Sequence, residues 1–100
     1  MWRSLLEQLR REAPPLLPVR VYRRRIVGAL GTTDLIKVGS RPDHFSIIVH
    51  PGASFSYMRH ILLHEWAHAL AWTEGHDEVR DHGPEWALAF SRVYQLTVEP

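Results

Sequence analysis

The 100 residues of this chain leave room for one hydrophobic core, so we expect a single domain spanning residues 1–100. The sequence contains no cysteine, which excludes disulfide bonds, cysteine nucleophiles and thiolate metal sites and leaves metal binding to seven histidines and the acidic residues. A formal net charge of +1 indicates no general affinity of the molecule for polyanions. The sequence has no apolar run long enough to span a membrane. We therefore expect a soluble, cytoplasmic protein without a signal peptide.

The first predicted element is an amphipathic helix over residues 2–12. Its apolar residues recur at helical spacing while charged residues occupy the other side; they are Trp2, Leu5, Leu6 and Leu9. A group of prolines that begins at Pro14 ends the helix, because proline lacks the backbone amide and disfavours helix in the residue before it.

Three short strands are predicted next, within residues 19–49. The segments 19–22, 35–38 and 45–49 are rich in β-branched residues, and glycine, proline and aspartate separate them as turns. We expect these strands to form a small, twisted antiparallel sheet.

Two helices complete the predicted α+β fold. Ser54 or Ser56 offers an N-cap for a long helix that runs to about Thr73. This helix is apolar around much of its circumference, which is typical of a central helix. After a polar loop over residues 75–83, Pro84 opens a closing helix, because proline is favoured in the first helical turn.

The sequence His64-Glu65-Trp66-Ala67-His68 matches the H-E-x-x-H pattern on the predicted central helix. Residues four apart lie on the same face of a helix, so both imidazoles can reach one metal ion, for which Zn²⁺ suits the ligand type. Glu65 can flank the ion without binding it and act as the general base for a metal-activated water that attacks a peptide bond. The motif therefore predicts a zinc-dependent endopeptidase.

A catalytic zinc site needs a third protein ligand. The candidates that follow the motif are His76, Asp77, Glu78, Asp81, His82 and Glu85. We favour His82, because the polar loop can reverse the chain and the closing helix can then hold this side chain over the first two histidines. Glu85, in the first turn of that helix, is the second choice.

The motif His64-Glu65-Trp66-Ala67-His68-Ala69, followed by His82-Gly83-Pro84-Glu85-Trp86, resembles the SprT-like zinc metalloproteases of the Spartan/SprT family. The resemblance covers the chain from about residue 47 to 94. It implies a zincin-like core in which His64, His68 and His82 bind Zn²⁺ and Glu65 is the catalytic base. The minigluzincins, minimal zincin cores of about this length, are an alternative relative. In zincin-type peptidases the strand before the zinc helix borders the cleft, so residues 45–49 either pair with a substrate or form an ordinary core strand.

The sequence also indicates positions for several other residues. The arginine cluster at residues 20–25 could contact DNA phosphates, but we favour a solvated edge strand whose charge discourages pairing with other sheets. His60 is expected to be partly exposed or a partner of a metal ligand, and His44 and His50 are expected at the surface. The tryptophans at 66, 72 and 86 are predicted to lie in the core.

Two functions besides an active peptidase remain open. One is a non-catalytic domain in which zinc only stabilises the fold, while the protein surface binds DNA or a protein partner. The other is a latent peptidase of the minigluzincin type, whose cleft is covered by its own terminus or a loop. Glu65 favours catalysis, because a purely structural zinc site needs no carboxylate beside an open position.

Overall fold

A computed structural model describes residues 1–52, 54–72 and 82–97. The chain has an α+β fold, as predicted. Its elements, in chain order, are α1 (Trp2–Glu12), β1 (Val19–Arg23), β2 (Gly31–Val38), β3 (Arg41–Val49), α2 (Phe55–Leu70) and α3 (Pro84–Thr97).

Helix α1 has the bounds that its apolar spacing predicts. Leu5 and Leu9 are buried against the rest of the protein. The helix ends at the fully buried Ala13, whose backbone carbonyl accepts a 2.8 Å hydrogen bond from the indole Nε1 of Trp66. The end of α1 is therefore attached directly to α2.

The sheet has the strand order β1-β3-β2, and it is mixed rather than antiparallel. Strands β2 and β3 pair antiparallel through a tight turn at Gly39, whose φ of 64° suits glycine. Strand β1 pairs parallel with the opposite edge of β3, so the antiparallel prediction was wrong for this pair.

The path of the chain between β1 and β2 explains why β1 pairs parallel with β3. The amide of Arg24 donates to the carbonyl of Val49, and the amide of His50 donates to the carbonyl of Leu30. The chain after β1 therefore passes over the end of β3 and begins β2 on the far side. Since β2 and β3 form a hairpin, β1 must run in the same direction as β3.

Helix α2 is the centre of the molecule, as its apolar circumference predicts. The side chain of Ser54 caps it by accepting from the amide of Tyr57 at 3.2 Å. Leu62, Leu63 and Trp66 are fully buried, and the helix packs on β2, β3 and α3. Helix α3 opens at Pro84 as predicted and buries Val93.

The surface prediction for His44 was wrong. It is only 9% exposed, and its Nδ1 lies 2.7 Å from the Oδ2 of Asp43. The neighbouring carboxylate provides the polar partner that a buried imidazole needs. His50 is half-buried.

The position of β1 at one edge of the sheet agrees with the edge-strand interpretation of the arginine cluster. The guanidinium of Arg23 lies 5.3 Å from the centre of the Trp2 ring, and that of Arg24 lies 4.5 Å from the Tyr22 ring. Within the described part of the chain, no helix has the length and apolar character required to cross a bilayer.

Candidate metal centre

Three histidine side chains meet beside α2. His64 and His68 lie one turn apart on this helix, and their Nε2 atoms are 3.3 Å apart. His82, two residues before α3, brings its Nε2 to 3.1 Å from that of His64. One ligand nitrogen from each of the three rings lies within 4.8 Å of the others. The three histidines favoured from the sequence are thus together in space.

Two of the three nitrogen–nitrogen distances are compatible with ligands of one tetrahedral metal ion. Ligands at the zinc–nitrogen distance of about 2.0–2.1 Å lie roughly 3.3–3.4 Å from one another in a tetrahedron. The two Nε2 pairs are 3.1 and 3.3 Å apart. A neutral imidazole carries a proton on only one of its two nitrogens. Three ring nitrogens that face one another can therefore form only some of the possible hydrogen bonds, whereas a metal cation accepts a lone pair from each of them. The cluster could therefore hold a metal ion.

The other candidate ligands differ in position. Glu85 is exposed on the first turn of α3 and is not part of the histidine cluster. His60 is exposed and makes an edge contact with the Phe90 ring instead. The candidates His76, Asp77, Glu78 and Asp81 lie outside the described residues.

Trp86 covers the histidine cluster, so its prediction as a core residue was wrong. Its ring is half-buried, with its centre 4.9 Å from that of His64, 5.6 Å from that of His68 and 4.8 Å from that of His82. Its Nε1 donates to the backbone carbonyl of His64 at 3.2 Å. Because α3 packs beside α2 at the cluster, its first turn faces the imidazoles rather than the core.

The other two tryptophans belong to the core as predicted. Trp66 is fully buried, and its indole donates to the backbone carbonyl at the end of α1. Trp72 is half-buried and packs edge-on against Phe45, with ring centres 5.7 Å apart.

The carboxylate of Glu65 faces strand β2. The residue is only 7% exposed, and its Oε1 lies 2.7 Å from the hydroxyl oxygen of Thr33. The same hydroxyl lies 2.9 Å from the backbone carbonyl of Glu65. A buried carboxylate is stable only with polar partners, and Thr33 is one of them.

The profile of the SprT-like family matches residues 44–99, which is more than half of the chain. The chain belongs to the SprT-like family. No curated protein and no solved structure gave a match. The match covers β3 from His44 onward, α2 and α3, and therefore the whole histidine cluster, whereas α1, β1 and β2 lie before it. Membership confirms the resemblance carried by the two histidine motifs.

A groove adjoins the cluster in this SprT-like chain. It has a volume of about 460 Å³ and lies between residues 28–31 and α2, where His60, Ile61, His64 and Glu65 line it. Both a member of the histidine cluster and the buried carboxylate therefore face the same space. Ala29, Leu30 and Ile61 make part of its wall apolar.

The strand that borders this groove is β2 and not β3. Strand β3 is paired on both edges, so its interpretation as an ordinary core strand is the one that holds. Strand β2 begins at the groove with Gly31, and in the described sheet it pairs only with β3. A backbone edge that could receive an extended peptide is thus provided by β2.

Sequence reasoning missed Gly31, Thr33 and Trp86 as neighbours of the site. For Trp86 a partial signal existed, because it stands in the first turn of the helix that follows His82 in the sequence. For Gly31 and Thr33 no local signal existed, since their contacts with α2 cross more than 25 residues of chain.

Proposed function

We propose that this chain is a zinc-dependent endopeptidase. The observation that carries the proposal is that His64, from the histidine cluster, and the buried Glu65 line one groove. A metal ligand and a carboxylate that face the same space are what hydrolysis of a peptide bond requires. Membership of a family of zincin-like metalloproteases supports the same conclusion.

His64, His68 and His82 would hold the ion. A ligand set of three imidazoles suits Zn²⁺, and three protein ligands leave one position of a tetrahedron open. When bound, zinc would supply a Lewis acid for the peptide carbonyl and make the attacking water more acidic.

Glu65 would act as the general base. Its carboxylate takes a proton from the attacking water as the water oxygen bonds to the peptide carbon, and the resulting carboxyl group then gives that proton to the leaving amine nitrogen. The low exposure of Glu65 keeps bulk water away from the transfer. Its hydrogen bond with Thr33 holds one carboxylate oxygen in place.

The substrate would be an extended peptide that lies along β2. Main-chain hydrogen bonds to the strand edge give affinity with little sequence selectivity. The apolar wall formed by Ala29, Leu30 and Ile61 would accept an apolar side chain next to the cleaved bond.

The test is hydrolysis of an unstructured protein by the zinc-loaded chain. Glu65→Gln should lower the rate about 10²–10⁴-fold, the usual contribution of a general base, while zinc content stays equal. Glu7→Gln, at an exposed position on α1, is the matched control and should retain full activity. If the fully zinc-loaded wild-type chain cleaves nothing, the proposal is contradicted. That outcome would favour a binding domain with a structural zinc site, or a latent peptidase.

A contact between the arginine cluster and DNA stays a prediction. Arg20, Arg23, Arg24 and Arg25 are exposed at the β1 edge, and a phosphate backbone would bind such side chains. Adding single-stranded DNA to the hydrolysis assay tests it: a change in rate that salt abolishes would support the contact.

A further inference from the structure

We propose that Thr33 is a positioning residue that fixes the carboxylate of Glu65 against strand β2. The inference rests on the proposed function of Glu65 as the general base. Thr33 and Glu65 belong to different elements, β2 and α2, and meet only because the strand packs across the helix.

The Thr33 hydroxyl is placed to hold both parts of Glu65. Its oxygen lies 2.7 Å from the side-chain Oε1 and 2.9 Å from the backbone carbonyl of the same residue. The short distance to Oε1 is typical of a hydroxyl that donates to a carboxylate. The hydroxyl has one proton, so it donates mainly to the nearer carboxylate oxygen or shares the proton between the two acceptors of Glu65.

Gly31 supports the same contact from two residues away. Alternate residues of a strand share a face, so Gly31 and Thr33 both face α2. A Cβ atom at Gly31 would lie 2.9 Å from the Cγ of Glu65, 3.0 Å from its Oε2 and 2.7 Å from the Cγ2 of Ile61. The backbone of β2 therefore reaches the glutamate so closely that the strand limits where the carboxylate can lie.

Positioning matters here because the glutamate side chain has several rotatable bonds. Each sp³ torsion has staggered alternatives, and only some place the carboxylate in the groove that His64 also lines. A base that is misplaced by about 1 Å can lose on the order of 100-fold in rate. A strand that holds Oε1 removes the alternatives before substrate arrives.

The first experiment measures kcat and KM for Thr33→Val and Thr33→Ser. Valine keeps the shape and the strand preference but removes the hydroxyl, and kcat should fall about 10- to 100-fold, as expected for losing a hydrogen bond to a charged group. KM should change less than about twofold, because the bond acts on the base rather than on substrate binding. Serine keeps the hydroxyl and should restore kcat to within about threefold of wild type. Zinc affinity should match wild type in both variants.

The second experiment reads the Glu65 side chain directly by NMR, on the zinc-loaded chain without substrate. Three-bond couplings should show one χ1 rotamer in the wild type and in Thr33→Ser, and averaging over rotamers in Thr33→Val. Thr33→Ala is a second variant without the hydroxyl, and its Glu65 couplings should also show rotamer averaging. It provides the measurement if Thr33→Val does not fold.

These measurements separate the two ideas. If the wild type hydrolyses no peptide, the proposed function fails, while the couplings still decide whether Thr33 fixes Glu65. If the wild type is active and Thr33→Val has the same kcat and the same Glu65 couplings as the wild type, the positioning role is overturned. Averaged Glu65 couplings in the wild type would overturn it as well.

Discussion

At the scale of single residues, the three histidines differ in what surrounds them. His64 is at the centre: its Nε2 is close to those of both His68 and His82, and its backbone carbonyl accepts from Trp86. His82 is exposed, and it reaches the cluster from outside α2. Two of the proposed ligands belong to one helix and the third to a separate segment, so the geometry of the cluster depends on how α2 and α3 pack.

We expect His68→Ala to weaken zinc binding by more than about 100-fold, because it removes a direct ligand, whereas loss of a supporting partner costs about 10- to 100-fold. Competition with a chromogenic zinc chelator measures the change. His60→Ala is the matched control, since this exposed histidine lies on the same helix outside the cluster. Equal zinc affinity in the two variants would rule out His68 as a ligand.

Trp86→Phe should lower zinc affinity about tenfold. Phenylalanine keeps an aromatic ring over the imidazoles but cannot donate to the carbonyl of His64, which orients that turn of the helix. The same chelator competition reports the effect, with Trp2→Phe on α1 as the comparison. An unchanged affinity would show that the tryptophan only covers the cluster.

At the scale of elements, α2 contains both buried core residues and three of the proposed site residues. Leu62, Leu63 and Trp66 are fully buried, while His64, Glu65 and His68 lie among them in the sequence. A helix packed on several sides cannot rotate or shift without opening cavities, since protein interiors are densely packed. The packing of the core therefore fixes where His64, Glu65 and His68 lie.

Leu62→Ala should lower the free energy of unfolding by about 2–5 kcal/mol, because it removes a fully buried side chain and leaves a cavity. The exposed Leu88 on α3 is the control, and Leu88→Ala should change stability by less than about 0.5 kcal/mol. Urea denaturation followed by circular dichroism compares them. Similar losses in both would contradict the central role of α2.

At the scale of the whole molecule, the histidine cluster connects segments that are distant along the chain. His64 and His82 are separated by 18 positions, and their rings join α2 to the start of α3. Helix α3 is attached to α1 as well, through a 2.7 Å hydrogen bond from the Gln8 amide to the carbonyl of Leu96. A bound ion would thus stabilise the arrangement of all three helices.

Zinc should raise the melting temperature by on the order of 10 °C when its free concentration is 100 times the dissociation constant, since binding to the folded state then adds about 2.7 kcal/mol. A chelator should reverse the shift. His68→Ala should show little response to zinc at the same concentration. A zinc-dependent rise of equal size in this variant would mean that the stabilising ion binds elsewhere.

Much of the fold follows from local sequence. The bounds of α1, the Ser54 cap of α2 and the start of α3 at Pro84 agree with the predictions, because periodicity, capping and proline act within a few residues. The sheet was harder: three strands were predicted, but the parallel pairing of β1 with β3 depends on how residues 24–30 cross the end of the sheet.

The sequence by itself determined which residues were proposed to bind the metal and act as base, because four-residue spacing on a helix brings His64 and His68 to one face whatever surrounds them. Only the tertiary structure decided that Thr33 and Gly31 lie against Glu65, that Trp86 covers the imidazoles and that β2 rather than β3 borders the groove. These contacts join elements far apart in the chain, and the packing of a strand against a helix leaves no local pattern from which they could be predicted.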